Sequence, residues 1–210
     1  MAVPREWLNL PNKITLARLI IALMLFVMLS VERQTGALGD RIALNLACVI
    51  FVICVATDWI DGYIARKYQM VTTLGRIADP FVDKVVVCGA FVYLIDLTEI
   101  IRPWFAVTII AREFLVTSLR SYMESQGVPF GARLGGKIKM VAQSVAIPVV
   151  LFYQANLANS EDETTWKAIF YWLSWTLVWV TLVTTITSAW DYVRVAIRTH
   201  CESAAEESVR

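Results

Sequence analysis

The chain has 210 residues, 58% of them hydrophobic and only 18% charged, where a soluble domain of this length carries about 25% charged residues. A mean hydropathy of +0.59 therefore excludes an ordinary soluble domain, and a net charge of +1 offers no basic surplus for a nucleic-acid partner. Apolar runs long enough to cross a bilayer, about 17–25 residues each, recur along the chain. The expected fold is all-α and integral to a membrane, with six transmembrane helices behind a short N-terminal interfacial helix.

In chain order, residues 3–11 (VPREWLNLP) read as that interfacial helix, with Trp7, Leu8 and Leu10 toward the membrane and Arg5 and Glu6 toward water. Pro11 and Asn12 open the first span, with Thr15 and Arg18 about one helical turn apart. The six spans are expected roughly at 15–32, 42–60, 79–97, 103–122, 137–157 and 166–190. The first is too long for a signal-peptide core and no small-residue cleavage site follows it closely, so it reads as a retained helix. Asp79, Asp83 and Lys84 interrupt the third, leaving Val85–Ile95 as its continuous apolar part. Such charged stretches are tolerated where they face a wet cavity instead of lipid. Gly127–Gly136 (GVPFGARLGG) reads as a loop, and Pro148 as a kink in the fifth span. Trp172, Trp175 and Trp179 form one stripe on the sixth span, read as packing or lipid-facing. Residues 1–198 make one membrane domain. Residues 199–210 make a polar cytoplasmic tail, expected to fray and to carry His200 at the surface. Cys48, Cys54, Cys88 and Cys201 show no metal-ligand spacing and read as small hydrophobes.

The basic residues are unevenly placed. Only Arg33, Arg41, Arg102 and Lys167 fall at the 1–2, 3–4 and 5–6 connections, which leaves 15 of the 19 at or near the opposite side. The positive-inside rule then puts both termini in the cytoplasm, with Glu161–Glu163 outside. The protein is expected as a multi-pass protein of the cell (inner or plasma) membrane, among membrane lipids, its site facing the cytoplasm.

The chemistry concentrates between residues 58 and 83. Asp58 and Asp61 stand at i, i+3, and Asp79 and Asp83 at i, i+4, so each pair shares a helix face. Two carboxylates about 4 Å apart repel by roughly 4 kcal/mol at an effective dielectric near 20, and carboxylates beside membrane-grade sequence need a counter-charge. A hard divalent cation, Mg²⁺ or Mn²⁺, meets both requirements, because it takes all-oxygen ligands and shares its shell with substrate phosphates. Histidine and cysteine are absent from the cluster, which argues against zinc. Gly62 and Gly75 leave room for a ligand or another helix, and Arg66 adds a planar cation suited to phosphate. Transfer at a diphosphate fits this set. A cation channel or carrier is the non-enzyme alternative; against it, the acids cluster on one side of the membrane.

A second group lies later in the chain. Arg112 and Glu113 interrupt the apolar fourth span, a placement that reads as functional, and Arg120, Arg133, Lys137 and Lys139 follow. Five cations beside one cytoplasmic cavity suit an acceptor that is itself a phosphate.

The segment D-x2-D-G-x2-A-R-x8-G-x3-D-x3-D, here Asp58, Asp61, Gly62, Ala65, Arg66, Gly75, Asp79 and Asp83, resembles the motif of the CDP-alcohol phosphotransferases at every fixed position. The resemblance implies a six-helix homodimer in which Asp58, Asp61, Asp79 and Asp83 contact metal and Asp83 is the catalytic base. It also implies that Gly62, Ala65, Arg66 and Gly75 form the pocket for CDP-diacylglycerol. The Pro11-Asn12-x2-Thr15-x2-Arg18 element looks like the family's entry to its first helix, which would bring Asn12, Thr15 and Arg18 toward the nucleotide or diphosphate. The ARE-x6-R and G-K-x-K stretches and the opening NLPNKITLAR are most similar to the bacterial branch that makes phosphatidylglycerophosphate. That likeness implies phosphatidyl transfer from CDP-diacylglycerol to glycerol 3-phosphate with release of CMP, Arg112, Arg120, Arg133, Lys137 and Lys139 binding the acceptor phosphate. Inositol phosphate and phosphatidylglycerol, the acceptors of phosphatidylinositol-phosphate and cardiolipin synthases, remain as alternatives.

Overall fold

The computed structural model describes residues 10–35, 39–67, 73–126, 134–160 and 165–208. These form six helices and, among the described residues, no strand: α1 (Leu10–Thr35), α2 (Asp40–Lys67), α3 (Thr73–Leu97), α4 (Pro103–Ser125), α5 (Leu134–Asn156) and α6 (Thr165–Ser208). Residues 3–9 of the expected interfacial helix and Glu161–Glu163 lie outside the described residues.

Local chemistry explains the boundaries. Gly39 adopts φ +79°, a left-handed value costly for other residues, and its carbonyl accepts the amides of Ile42 and Ala43 to open α2. Pro103 sits in the first turn of α4, where its missing amide costs nothing and its ring fixes a helical φ. The helices α1, α2 and α3 pack together, α5 lies between α2 and α6, and α4 rests on α6 and α3. Phe51, Phe91, Leu94, Ile101, Ile109, Ile147 and Val150 fill the centre, none more than 1% exposed. The outward faces are apolar as well: Met24, Val27, Ile53, Val107, Phe114, Val141 and Val183 are all exposed. A bundle apolar inside and out is suited to lipid, where backbone groups must be satisfied within helices.

Asn12–Thr35, Asp40–Ile60, Leu134–Asn156 and Thr165–Thr199 are long and apolar enough to cross a membrane. Helices α3 and α4 fall short on composition because they carry Asp79, Asp83, Lys84, Arg112, Glu113 and Arg120. Two local expectations change. The tail expected to fray after Arg198 continues α6 to Ser208; its alanines and glutamates favour helix, and extending an existing helix avoids the cost of nucleation. The expected loop ends early, because α5 begins at Leu134 and takes in Gly135 and Gly136. There α6 comes close: a Cβ on Gly135 would stand 3.2 Å from Ser188 Cβ, and one on Gly136 3.3 Å from Tyr192 Oη. Helix α5 runs on through Pro148, whose carbonyl accepts the Cys48 thiol at 3.5 Å. Cys48, Cys54 and Cys88 are free, and the tryptophan stripe is stacked on itself at Trp175–Trp179 and touches Trp104 of α4.

Candidate active site

Helix α2 runs unbroken through the first aspartate pair, and α3 starts early enough to carry Gly75, Asp79 and Asp83 in its first three turns. The aspartates therefore sit at the adjoining ends of two helices, and α1 supplies what lies between them. Its buried face carries Asn12, Thr15 and Arg18 at 8%, 2% and 3% exposure. Thr15 Oγ1 donates to Asp79 Oδ1 at 2.6 Å. Arg18 Nη1 donates to Asp58 Oδ1 at 2.5 Å and to Asp83 Oδ1 at 2.8 Å. One guanidinium nitrogen reaching carboxylates on two helices means that those carboxylates converge. Arg18 offsets one of their charges, so the described groups keep an excess of negative charge that attracts cations.

The side chains of Asp61, Ala65 and Arg66 lie outside the described residues, as does Arg133. Among the described residues no three of His, Cys, Asp and Glu are grouped as a metal site. What converges is a pair of hard oxygen donors, Asp58 and Asp83. Asp79 is tied to the same helix face through Thr15. Donors of this kind fit Mg²⁺ or Mn²⁺, whose remaining ligands come from waters and phosphate oxygens. Gly62 is half-buried on α2 and Gly75 buried on α3.

The second cluster joins α4, α5 and α6. Arg112, Glu113 and Lys139 are 8%, 9% and 6% exposed. Glu113 Oε1 accepts from Arg112 Nη1 at 3.3 Å and from Lys139 Nζ in a short ion pair, while Arg112 Nη2 donates a short hydrogen bond to Ser188 Oγ. Arg120 Nη2 donates to Tyr192 Oη at 3.2 Å. Arg112, expected chiefly as an acceptor ligand, is thus also part of a network binding three helices. A cation this deep needs a partner when no ligand is bound. Lys137 makes no hydrogen bond or ion pair with the described residues and faces the open space.

That open space unites the two clusters. A cavity of about 960 Å³ is lined on one side by Arg18, Asp58 and Asp83 and on the other by Lys84, Arg112, Arg120, Lys137 and Lys139. The five cations of its far side meet two carboxylates, Glu113 and Glu124, which leaves a net charge of +3 suited to a phosphate dianion. Asn12, Thr15, Gly62, Gly75 and Asp79 do not line it; they stand behind or beside its acidic wall.

The sequence reading missed Lys84, Gln143, Ser188 and Tyr192. Lys84 was in view only as an interruption of a span. The α6 residues had a usable signal: Ser174, Thr181, Thr185, Ser188 and Tyr192 recur at helical spacing and are all at most 2% exposed, a polar face that a lipid-facing helix has no use for.

A family model for CDP-alcohol phosphatidyltransferases matches residues 8–187. The chain is 34% identical over 189 residues to a CDP-diacylglycerol–glycerol-3-phosphate 3-phosphatidyltransferase of Bacillus subtilis, covering 88% of this chain and 93% of that one. Proteins of the same description from Rickettsia typhi and Mycoplasma pneumoniae are 33% and 28% identical over 147 and 176 residues, covering 68% and 78% of this chain and 76% of each relative.

Proposed function

Since the chain belongs to the CDP-alcohol phosphatidyltransferase family, a family of enzymes, we propose that it transfers the phosphatidyl group of CDP-diacylglycerol to sn-glycerol 3-phosphate. The observation that carries this reading is the single cavity in which Asp58 and Asp83 face Arg112, Arg120, Lys137 and Lys139. The glycerol phosphate rests its dianion on the cationic side and turns its free hydroxyl toward Asp83. Asp83 takes the hydroxyl proton as the oxygen attacks the phosphatidyl phosphorus. A new phosphorus–oxygen bond forms, the bond to CMP breaks, and CMP leaves with its electron pair. Arg120 and Lys137 orient the acceptor, so that the encounter is effectively intramolecular. Asn12, Thr15, Arg18, Gly62, Ala65, Arg66 and Gly75 are the residues assigned to binding the CDP moiety. Asp58, Asp61, Asp79 and Asp83 would hold Mg²⁺ or Mn²⁺, which when bound offsets charge on the diphosphate.

In this reading all six helices cross the membrane. Helices α3 and α4, of 25 and 23 residues, reach roughly 35–38 Å at 1.5 Å per residue, and their charges line a cavity instead of lipid. The distribution of arginine and lysine supports a site that faces the cytoplasm. The enzyme works as a homodimer, an expectation carried by the family. The acceptor test is release of CMP from CDP-diacylglycerol by the purified protein in detergent. Glycerol 3-phosphate should support turnover, while inositol phosphate, serine and phosphatidylglycerol should support little. Turnover with one of those and none with glycerol 3-phosphate would overturn the acceptor assignment and leave the family untouched.

A further inference from the structure

Tyr192 of α6 is 2% exposed, lines the cavity and is in contact with both arginines of α4. The guanidinium carbons of Arg112 and Arg120 each stand 5.9 Å from the centroid of its ring, within the range of a cation–π contact, and Arg120 also donates to its hydroxyl at 3.2 Å. Arg112 and Arg120 are eight residues apart on one helix, roughly 12 Å along its axis, and one ring on a neighbouring helix meets both. Being neutral, it holds two cations without cancelling their charge, which a carboxylate such as Glu113 cannot do. The Nε atoms of both arginines are buried with no hydrogen-bond partner among the described residues, so both retain donor capacity. Gly136 completes the arrangement, since a Cβ there would press on the Tyr192 hydroxyl at 3.3 Å.

We infer that Tyr192 is a positioning residue for the acceptor phosphate, its hydroxyl fixing the Arg120 guanidinium against the ring that also meets Arg112, with Gly136 leaving the space for that hydroxyl. The inference rests on the acceptor-site reading above and adds to it the residue that sets the cation geometry. A tyrosine kept only for packing would tolerate loss of its hydroxyl without any change specific to one substrate.

The test is a double-mutant cycle of Tyr192→Phe and Arg120→Ala in the purified protein, with KM measured separately for glycerol 3-phosphate and CDP-diacylglycerol, and thermal unfolding as a check on folding. Tyr192→Phe keeps the ring and so preserves the packing. It should raise the acceptor KM about three- to tenfold, leave KM for CDP-diacylglycerol unchanged, lower the unfolding midpoint by only about 2–4 °C, and add nothing to the acceptor KM once Arg120 is alanine. An unchanged acceptor KM in Tyr192→Phe, a parallel rise for both substrates, or a full additional rise in the Arg120→Ala background would each overturn the positioning role. If Arg120→Ala itself leaves the acceptor KM unaltered, it is the acceptor-site reading that fails.

Discussion

Replacing Glu113 by glutamine removes one negative charge and almost no volume, and the structure gives that charge two buried dependants. Its Oε1 accepts from Arg112 at 3.3 Å and from Lys139 in a shorter contact, with side chains only 8–11% exposed. Charge-assisted hydrogen bonds are worth about 1.5–3 kcal/mol each, and stripping one partner from a buried ion pair costs about 3–5 kcal/mol. The Arg112 bond is long and Arg112 keeps Ser188, so a loss near the lower end, about 3 kcal/mol, is expected. For a chain of this size that lowers the unfolding midpoint by roughly 6–12 °C. The 8 tryptophans make intrinsic fluorescence in detergent a suitable readout. The deficit should also be partly repaired by inorganic phosphate, which can replace the missing counter-charge and should stabilise Glu113→Gln more than the wild type. A Glu113→Gln protein that melts with the wild type, with or without phosphate, would show that this carboxylate is not the counter-ion of Arg112 and Lys139.

Activity should require Mg²⁺ or Mn²⁺: Asp→Asn at position 58, 61 or 79 should cut metal-dependent turnover by orders of magnitude, and full activity in excess chelator would refute this and favour an ion path. Asp83→Asn should abolish turnover while leaving CDP-diacylglycerol binding much less affected; a comparable loss of both would make Asp83 a ligand and not the base. At the far end of the bundle, Asn156 exchanges amide hydrogen bonds with Asn45 at 2.8 and 3.2 Å and accepts from Arg41. Asn156→Ala should therefore lower stability by about 1–2 kcal/mol without touching either KM, as thermal unfolding and steady-state kinetics would show.

The aspartate segment was legible because its spacing is a helix spacing: i, i+3 and i, i+4 pairs survive any reasonable error in helix boundaries, and membrane sequence makes acids conspicuous. The cationic cluster was legible for the same reason at Arg112 and Glu113. What could not be read was pairing between distant helices. That Arg18 would lie across Asp58 and Asp83, and Thr15 against Asp79, depends on how α1 packs on α2 and α3, and no local pattern encodes this. Glu113 was visible as a costly residue, but its partner Lys139 lies 26 residues away on another helix. Tyr192 was hidden because tyrosine is ordinary near a membrane interface, and its value comes only from the two arginines it meets. Gly135 and Gly136 looked like turn residues, yet they are required by close contact with α6. The length of α6 was misjudged because polarity was taken for an end of helix, although alanine and glutamate sustain one.

Lys137 offers the most direct test that the cationic wall of the cavity binds the acceptor. Unlike Arg112 and Lys139 it has no hydrogen-bond or ion-pair partner among the described residues, so Lys137→Ala isolates its interaction with ligand. Measured with each substrate varied in turn, the variant should show a glycerol 3-phosphate KM raised about ten- to a hundredfold, as removal of one charge-assisted hydrogen bond worth about 1.5–3 kcal/mol requires. KM for CDP-diacylglycerol and the unfolding midpoint should not move. An unchanged acceptor KM, or an equal rise for CDP-diacylglycerol, would contradict the division of this cavity into a donor side and an acceptor side.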